Sequence, residues 1–250
     1  MKTDRLYPVD ALRGVAMVWM TVFHFCFDLS NVGLIQANFY RDPVWTWQRT
    51  CILSLFLLCA GAGQAIAVAQ GQSWQRFWRR WAQIAGCALL VSVGSALMFP
   101  KSFIYFGVLH GMAVMLLIAR LSAGCGRWLW PMGAVVLALK FAAPWAMGEG
   151  WLPATFNDKS LNWMGLISQK PITEDYVPLV PWLAVVWWGM AVTQWWLRRR
   201  GSAIQSGAVE ASRPAPVLLP AVFLGRWSLS YYMVHQPVLL AGLWLWQRAF

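Results

Sequence analysis

Residues 9–29 read VDALRGVAMVWMTVFHFCFDL, an apolar run of membrane-crossing length that still carries Asp10, Arg13, His24 and Asp28, with Arg5 just ahead. Ionisable side chains are costly in lipid, so they usually face a protein interior or a wet cavity and mark function. Asp10, Arg13, Met17, Thr21, His24 and Asp28 follow one another at intervals of 3, 4, 4, 3 and 4. That periodicity places them on one stripe of a helix. The segment reads as a first span with a polar seam turned inward and Val, Trp and Phe turned to lipid.

The composition agrees. Of 250 residues, 59% are hydrophobic and only 12% charged, half the charged share of an average soluble domain. A net charge of +11 would suggest nucleic acid in a soluble protein. Here the basic residues sit in short loops between apolar runs, which the positive-inside rule explains without a nucleic-acid partner. The five cysteines, Cys26, Cys51, Cys59, Cys87 and Cys125, lack metal-type pairing, and four lie in apolar runs where they read as small buried hydrophobes. Asp10 and Arg13 interrupt any signal-peptide core, and no small-x-small cleavage site follows, so the first span is expected to be retained.

At roughly 17–25 residues per span, the expected fold is an all-α integral membrane bundle of about seven transmembrane helices. They are placed at 11–29, 50–69, 82–99, 103–121, 128–147, 178–197 and 227–247. A short apolar piece at 217–225 makes an eighth, as a half-helix or the start of a bent last span, because Pro220 limits regular helix there. With the N-terminus cytoplasmic, the inside segments hold 13 Lys and Arg and the outside segments 6. The bias favours N-terminus in and C-terminus out. Residues 148–177, rich in Trp, Pro and Asn, would form an outer loop, a candidate lid. Residues 198–216 read as a flexible cytoplasmic linker within a single polytopic domain spanning 1–250. No internal repeat is visible, which counts against a transporter of duplicated halves.

The three histidines, His24, His110 and His235, all fall in expected spans. An intramembrane His is often a helix–helix hydrogen bonder, and that reading competes with a site role for His110 and His235. His24 differs because Asp28 lies one turn on. A carboxylate beside an imidazole favours its charged form and orients its tautomer, as a general base requires. Asp10 and Arg13 form an interfacial anchor or the inner end of a polar path. Arg13 and His24 are eleven helical steps apart, roughly 16 Å. Arg76, Arg79 and Arg80, interleaved with aromatics after the second span, suit phosphate contacts, lipid headgroups, or both. Near the C-terminus, Ser228, Tyr231 or Tyr232, and His235 share a face, with Pro237 just beyond. Lys140 is expected to snorkel. No metal site is expected.

Three segments carry a resemblance. Asp10-Ala11-Leu12-Arg13-Gly14, followed by His24, resembles the opening of integral-membrane acyltransferases. These include the acyltransferase-3 proteins, which O-acetylate bacterial surface sugars, and the heparan-alpha-glucosaminide N-acetyltransferase family. The Arg76–Arg80 stretch resembles their cytoplasmic arginine motif. Leu224-Gly225-Arg226, Ser230-Tyr231 and His235-Gln236-Pro237 resemble the glucosaminide branch, as do the short length and Phe23-His24-Phe25, typical of small bacterial members.

The resemblance implies an acyl group taken from cytoplasmic acyl-CoA, above all acetyl-CoA, and given to a glycan or other acceptor at the outer face of a bacterial inner membrane. No cofactor is permanently bound. His24 occupies the place of the catalytic His of acyltransferase-3 proteins. In the animal lysosomal enzyme that place is Asn and the catalytic His lies in the following loop, whereas here the loop Tyr40–Trp45 has none. The expected arrangement sets the donor phosphates on Arg76, Arg79, Arg80 and Arg13, with the pantetheine arm along the first-span seam. His24, oriented by Asp28, acts as base or forms an acyl-His intermediate. Ser228, Tyr231, His235 or His110 line the cavity or stabilise the oxyanion. The competing class is a non-enzymatic membrane protein, either a haem-binding electron-transfer subunit with His axial ligands or a proton-coupled transporter.

Overall fold

The computed structural model describes residues 7–205 and 215–249. Among them the chain is all α, apart from a single parallel bridge between Phe106 and Tyr176. Eight α-helices follow in order: α1 Tyr7–Asn31, α2 Pro43–Ala69, α3 Trp74–Met98, α4 Val108–Leu121, α5 Leu129–Gly148, α6 Leu179–Gln205, α7 Leu219–Arg226 and α8 Ser228–Ala249. Every expected span coincides with a helix, and 217–225 becomes the half-helix α7.

Fewer helices qualify as spans than the seven or eight expected. α1, α2, α3 and the run Ala123–Gly148 containing α5 are long and apolar enough to cross a membrane. α7 and α8 add a fifth if counted as one span bent by 81°. α4, at 14 residues, is about 21 Å long, short of a ~30 Å hydrocarbon core. α6 has the length but carries five tryptophans and Arg198-Arg199-Arg200, which lower its apolarity. The chain is a multi-pass membrane protein by its apolar helices. α6 also runs to Gln205, into the stretch expected to be a flexible linker. The rest of that stretch, 206–214, and the terminal Lys2 and Arg5 lie outside the described residues.

The chain divides into two units, Met1–Cys59 with Ala211–Phe250, and Ala60–Glu210. In the first, α1 and α7 run antiparallel at very close range. A Cβ on Gly14 would stand 1.9 Å from the Ala221 carbonyl oxygen, and one on Gly225 1.9 Å from that of Asp10. Met17, Met20, Phe23, Phe39 and Ile52 form the core beside this contact, with Phe39 stacked on Trp45 at 4.1 Å. The opposite face of α1 exposes Leu12, Val15, Val18, Val22 and Phe25, the lipid-facing stripe the periodicity predicts. Trp19 departs from that pattern: it packs on the core and donates to Gln48.

In the second unit α5 packs on α6 and α3 on α4. Indole N–H groups are the recurrent polar ties: Trp81 donates to the Ala113 carbonyl, Trp187 to Ser122 and Trp188 to the Trp130 carbonyl. α2 is closed off by Gly71, two residues past its last turn, whose positive φ of 67° lets Gln72 N–H reach the Ala67 carbonyl and Gly71 N–H that of Val68. This is the Schellman closure that glycine permits at a helix C-terminus. Ser73 then caps α3, accepting from the Arg76 amide.

Candidate active site

Three polar contacts join α1 to α8 in the first unit. Thr21 Oγ1 lies 2.7 Å from the Tyr231 hydroxyl, His24 Nδ1 3.1 Å from His235 Nε2, and Gln236 Nε2 donates to both Asp28 oxygens at 2.9 Å. The last three residues of the inward stripe of α1, Thr21, His24 and Asp28, are therefore each met by one residue of the C-terminal motif. Asp28 is 3% exposed and His235 8%, while His24 is half-buried.

Proton counting assigns most of the directions. The Thr21 hydroxyl donates to the Met17 carbonyl at 2.8 Å, so its oxygen accepts from Tyr231. His235 Nδ1 lies 2.7 Å from the Tyr232 carbonyl, which can only accept, so Nδ1 carries a proton. In a neutral ring Nε2 is then the acceptor, and the proton between the rings belongs to His24 Nδ1. His24 Nε2 is left as a free lone pair, and it has no hydrogen-bond partner among the described residues.

The geometry corrects one expected role. Asp28 makes no hydrogen bond to His24: its carboxylate accepts from Gln236, and His24 Nδ1 meets His235. Residues four apart on a helix meet only when their side chains turn toward each other, and both of these turn to α8 instead. Two of the expected oxyanion groups are otherwise occupied as well. Tyr231 spends its proton on Thr21, and neutral His235 spends both nitrogens on Tyr232 and His24. Ser228, the first residue of α8, makes no side-chain hydrogen bond among the described residues.

Asp10 and Arg13 pair at 3.4 Å, as the anchor reading predicts. Arg13 also donates to the Cys59 carbonyl at 3.3 Å, and Arg226 approaches Asp10 at 3.9 Å. Asp10 thus ties α1 to the end of α7, and Arg13 ties it to α2.

In the second unit the start of α3 borders a cleft of about 390 Å³ lined by Gly71, Ser73, Gln75, Arg76 and Arg79. Arg76 and Arg79 share this cleft and Arg80 does not line it; all three are exposed. Arg120 braces the turn from α4, donating to the Gln72 carbonyl and lying over the Trp74 and Phe77 rings. His110 is a structural clamp: its Nδ1 accepts from the Gly107 amide and its Nε2 donates to Ser92, whose hydroxyl donates to the Ile104 carbonyl.

The expected lid is an ordered loop. Asp175 accepts from the Val108 amide at the start of α4, and buried Asn162 donates to Tyr105 and accepts from Tyr176 at its carbonyl. Burial pushes the Tyr176 and Tyr105 phenols up from their ordinary value. Lys140, exposed, lies against Phe141.

Sequence reasoning missed Gln236 and the Tyr232 carbonyl as partners. The signal was present: two ionisable residues a turn apart, His24 and Asp28, need two polar partners, and His235-Gln236 supplies an adjacent pair.

The family model described as "Heparan-alpha-glucosaminide N-acetyltransferase, catalytic" matches residues 5–237, most of the chain and both segments that build this contact. Comparison with curated proteins and with solved structures gives no match.

Proposed function

Because the chain belongs to the heparan-alpha-glucosaminide N-acetyltransferase catalytic family, whose name implies a transferase, we propose that it moves an acetyl or other short acyl group from cytoplasmic acyl-CoA to a hydroxyl or amine of a glycan or similar acceptor at the outer face of a bacterial inner membrane. The observation that carries this reading is the free His24 Nε2, held on an imidazole whose other nitrogen is committed to His235.

His24 Nε2 removes the acceptor O–H or N–H proton as the acceptor attacks the thioester carbonyl. The C–S bond breaks, and the proton passes to the departing thiolate, giving acylated acceptor and free CoA with His24 restored. The CoA phosphates bind in the cleft at the start of α3. Arg76 and Arg79 supply charge-assisted contacts there, and the first amides of the helix favour an anion. Arg13, engaged with Asp10 and Cys59, serves as a structural tie and not as a donor contact.

The test is incubation of the purified protein with radiolabelled acetyl-CoA and a panel of glycans. The parent transfers label, and His24→Ala does not, while its melting profile stays close to the parent's. Transfer at the parent rate by His24→Ala removes His24 from the chemistry.

A further inference from the structure

We propose that His235 is a positioning residue that fixes His24 in the Nδ1–H tautomer, leaving Nε2 as the basic atom, and that the His24–His235 pair shares the positive charge when His24 is protonated. The proposal rests on the reading of His24 as the base. It is carried by an unbroken series of contacts: the Tyr232 carbonyl to His235 Nδ1 at 2.7 Å, and His235 Nε2 to His24 Nδ1 at 3.1 Å.

The backbone carbonyl sets the direction of the series, because it cannot donate. With two protons on the pair, one is held at His235 Nδ1 and the other can relieve the lone-pair clash between the rings only by standing at His24 Nδ1. An imidazole free in water favours the opposite tautomer, with its proton on Nε2 and no basic lone pair there. The protein therefore selects the minor form. When His24 Nε2 takes a third proton, the proton between the rings becomes exchangeable between His24 and His235. The charge then spreads toward the Tyr232 carbonyl, whose oxygen faces the far nitrogen of the pair. Asp28, the group usually expected to perform this orientation, is held by Gln236, and Tyr231 stacks nearly parallel to the His235 ring.

The chain has three histidines, so nitrogen-15 imidazole spectra of the intact protein in detergent can resolve the tautomers directly. The expected result above neutral pH is two Nδ1–H rings, His24 and His235, and one Nε2–H ring, His110, whose Nδ1 accepts from Gly107. His235→Leu should convert His24 to the Nε2–H form and lower kcat by roughly 100-fold, with the KM for acyl-CoA unchanged. His235→Gln, which can offer an oxygen where Nε2 stood, should restore the Nδ1–H form and much of kcat.

A parent spectrum with His24 in the Nε2–H form overturns the proposal, whether or not any variant folds. So does a His24 ring that stays Nδ1–H in His235→Leu, because His235 then only packs. If the tautomers behave as expected while the parent transfers no acyl group, the positioning role stands and the acyltransferase reading falls.

Discussion

Asp28 and Gln236 show how a residue pair is set by what it leaves unpaired. Gln236 gives one nitrogen to both carboxylate oxygens, while its own Oε1 is buried without a hydrogen-bond partner among the described residues. An amide in place of the carboxylate could accept from Gln236 and also donate to Oε1. Asp28→Asn should therefore keep a melting temperature at or above the parent's, whereas Asp28→Leu, which strands both ends of Gln236, should cost about 1–3 kcal/mol by thermal denaturation. Activity should separate from stability: Asp28→Asn should lower the transfer rate less than His24→Ala does. A drop in melting temperature for Asn equal to that for Leu would refute the amide-pair account. At this scale the sequence showed the polar stripe of α1 plainly, because 3-4 spacing is a property of one helix. It did not show that His24 and Asp28 each look to α8, because that depends on the rotation of a second helix about its own axis.

At the scale of elements, helix positions were legible and their packing was not. Gly14 and Gly225 were ordinary letters in quoted motifs, yet each stands where no side chain fits between α1 and α7. Gly225→Ala should cost roughly 1–3 kcal/mol or more, since the obstruction is backbone and cannot rotate away. Unaltered thermal stability would contradict so close an approach. The cleft before α3 gives a second prediction. Replacing Arg76 and Arg79 by Gln should weaken CoA binding by roughly tenfold or more per lost contact, each worth about 1.5–3 kcal/mol if well formed. The salt dependence of binding should fall with it. Equal affinity and equal salt dependence in correctly inserted protein would leave these arginines a topological role only. The loop around Tyr105 and Tyr176 gives a third. Folding favours their protonated phenols over the ordinary value of 10.0. The stability this contributes is complete below that pH and is lost as pH rises through the raised folded values. Ultraviolet titration should find these two phenols neutral well after exposed tyrosines have ionised.

For the whole molecule, composition and hydropathy were enough to identify a multi-pass helical protein. Among the described residues four helices, or five with the bent pair, meet the length and apolarity of a full span, because α4 is short and the tryptophans of α6 count as apolar in composition while being amphipathic. Sidedness is tested with single cysteine reporters in a cysteine-free background. Positions 168–170 should label from outside and positions 70–73 from inside, and the reverse pattern would invert the proposed orientation. The 81° break between α7 and α8 also bears on hydration. The first amides of α8 begin at Ser228 with no preceding turn of their own helix to receive them. Were the pair a single span, those donors would stand at membrane depth, where lipid offers no acceptor and only protein or water can serve. A route for water to Ser228, Leu229 and Ser230 would make this short stretch a point of rapid deuterium uptake in otherwise slowly exchanging helices, two turns before His235.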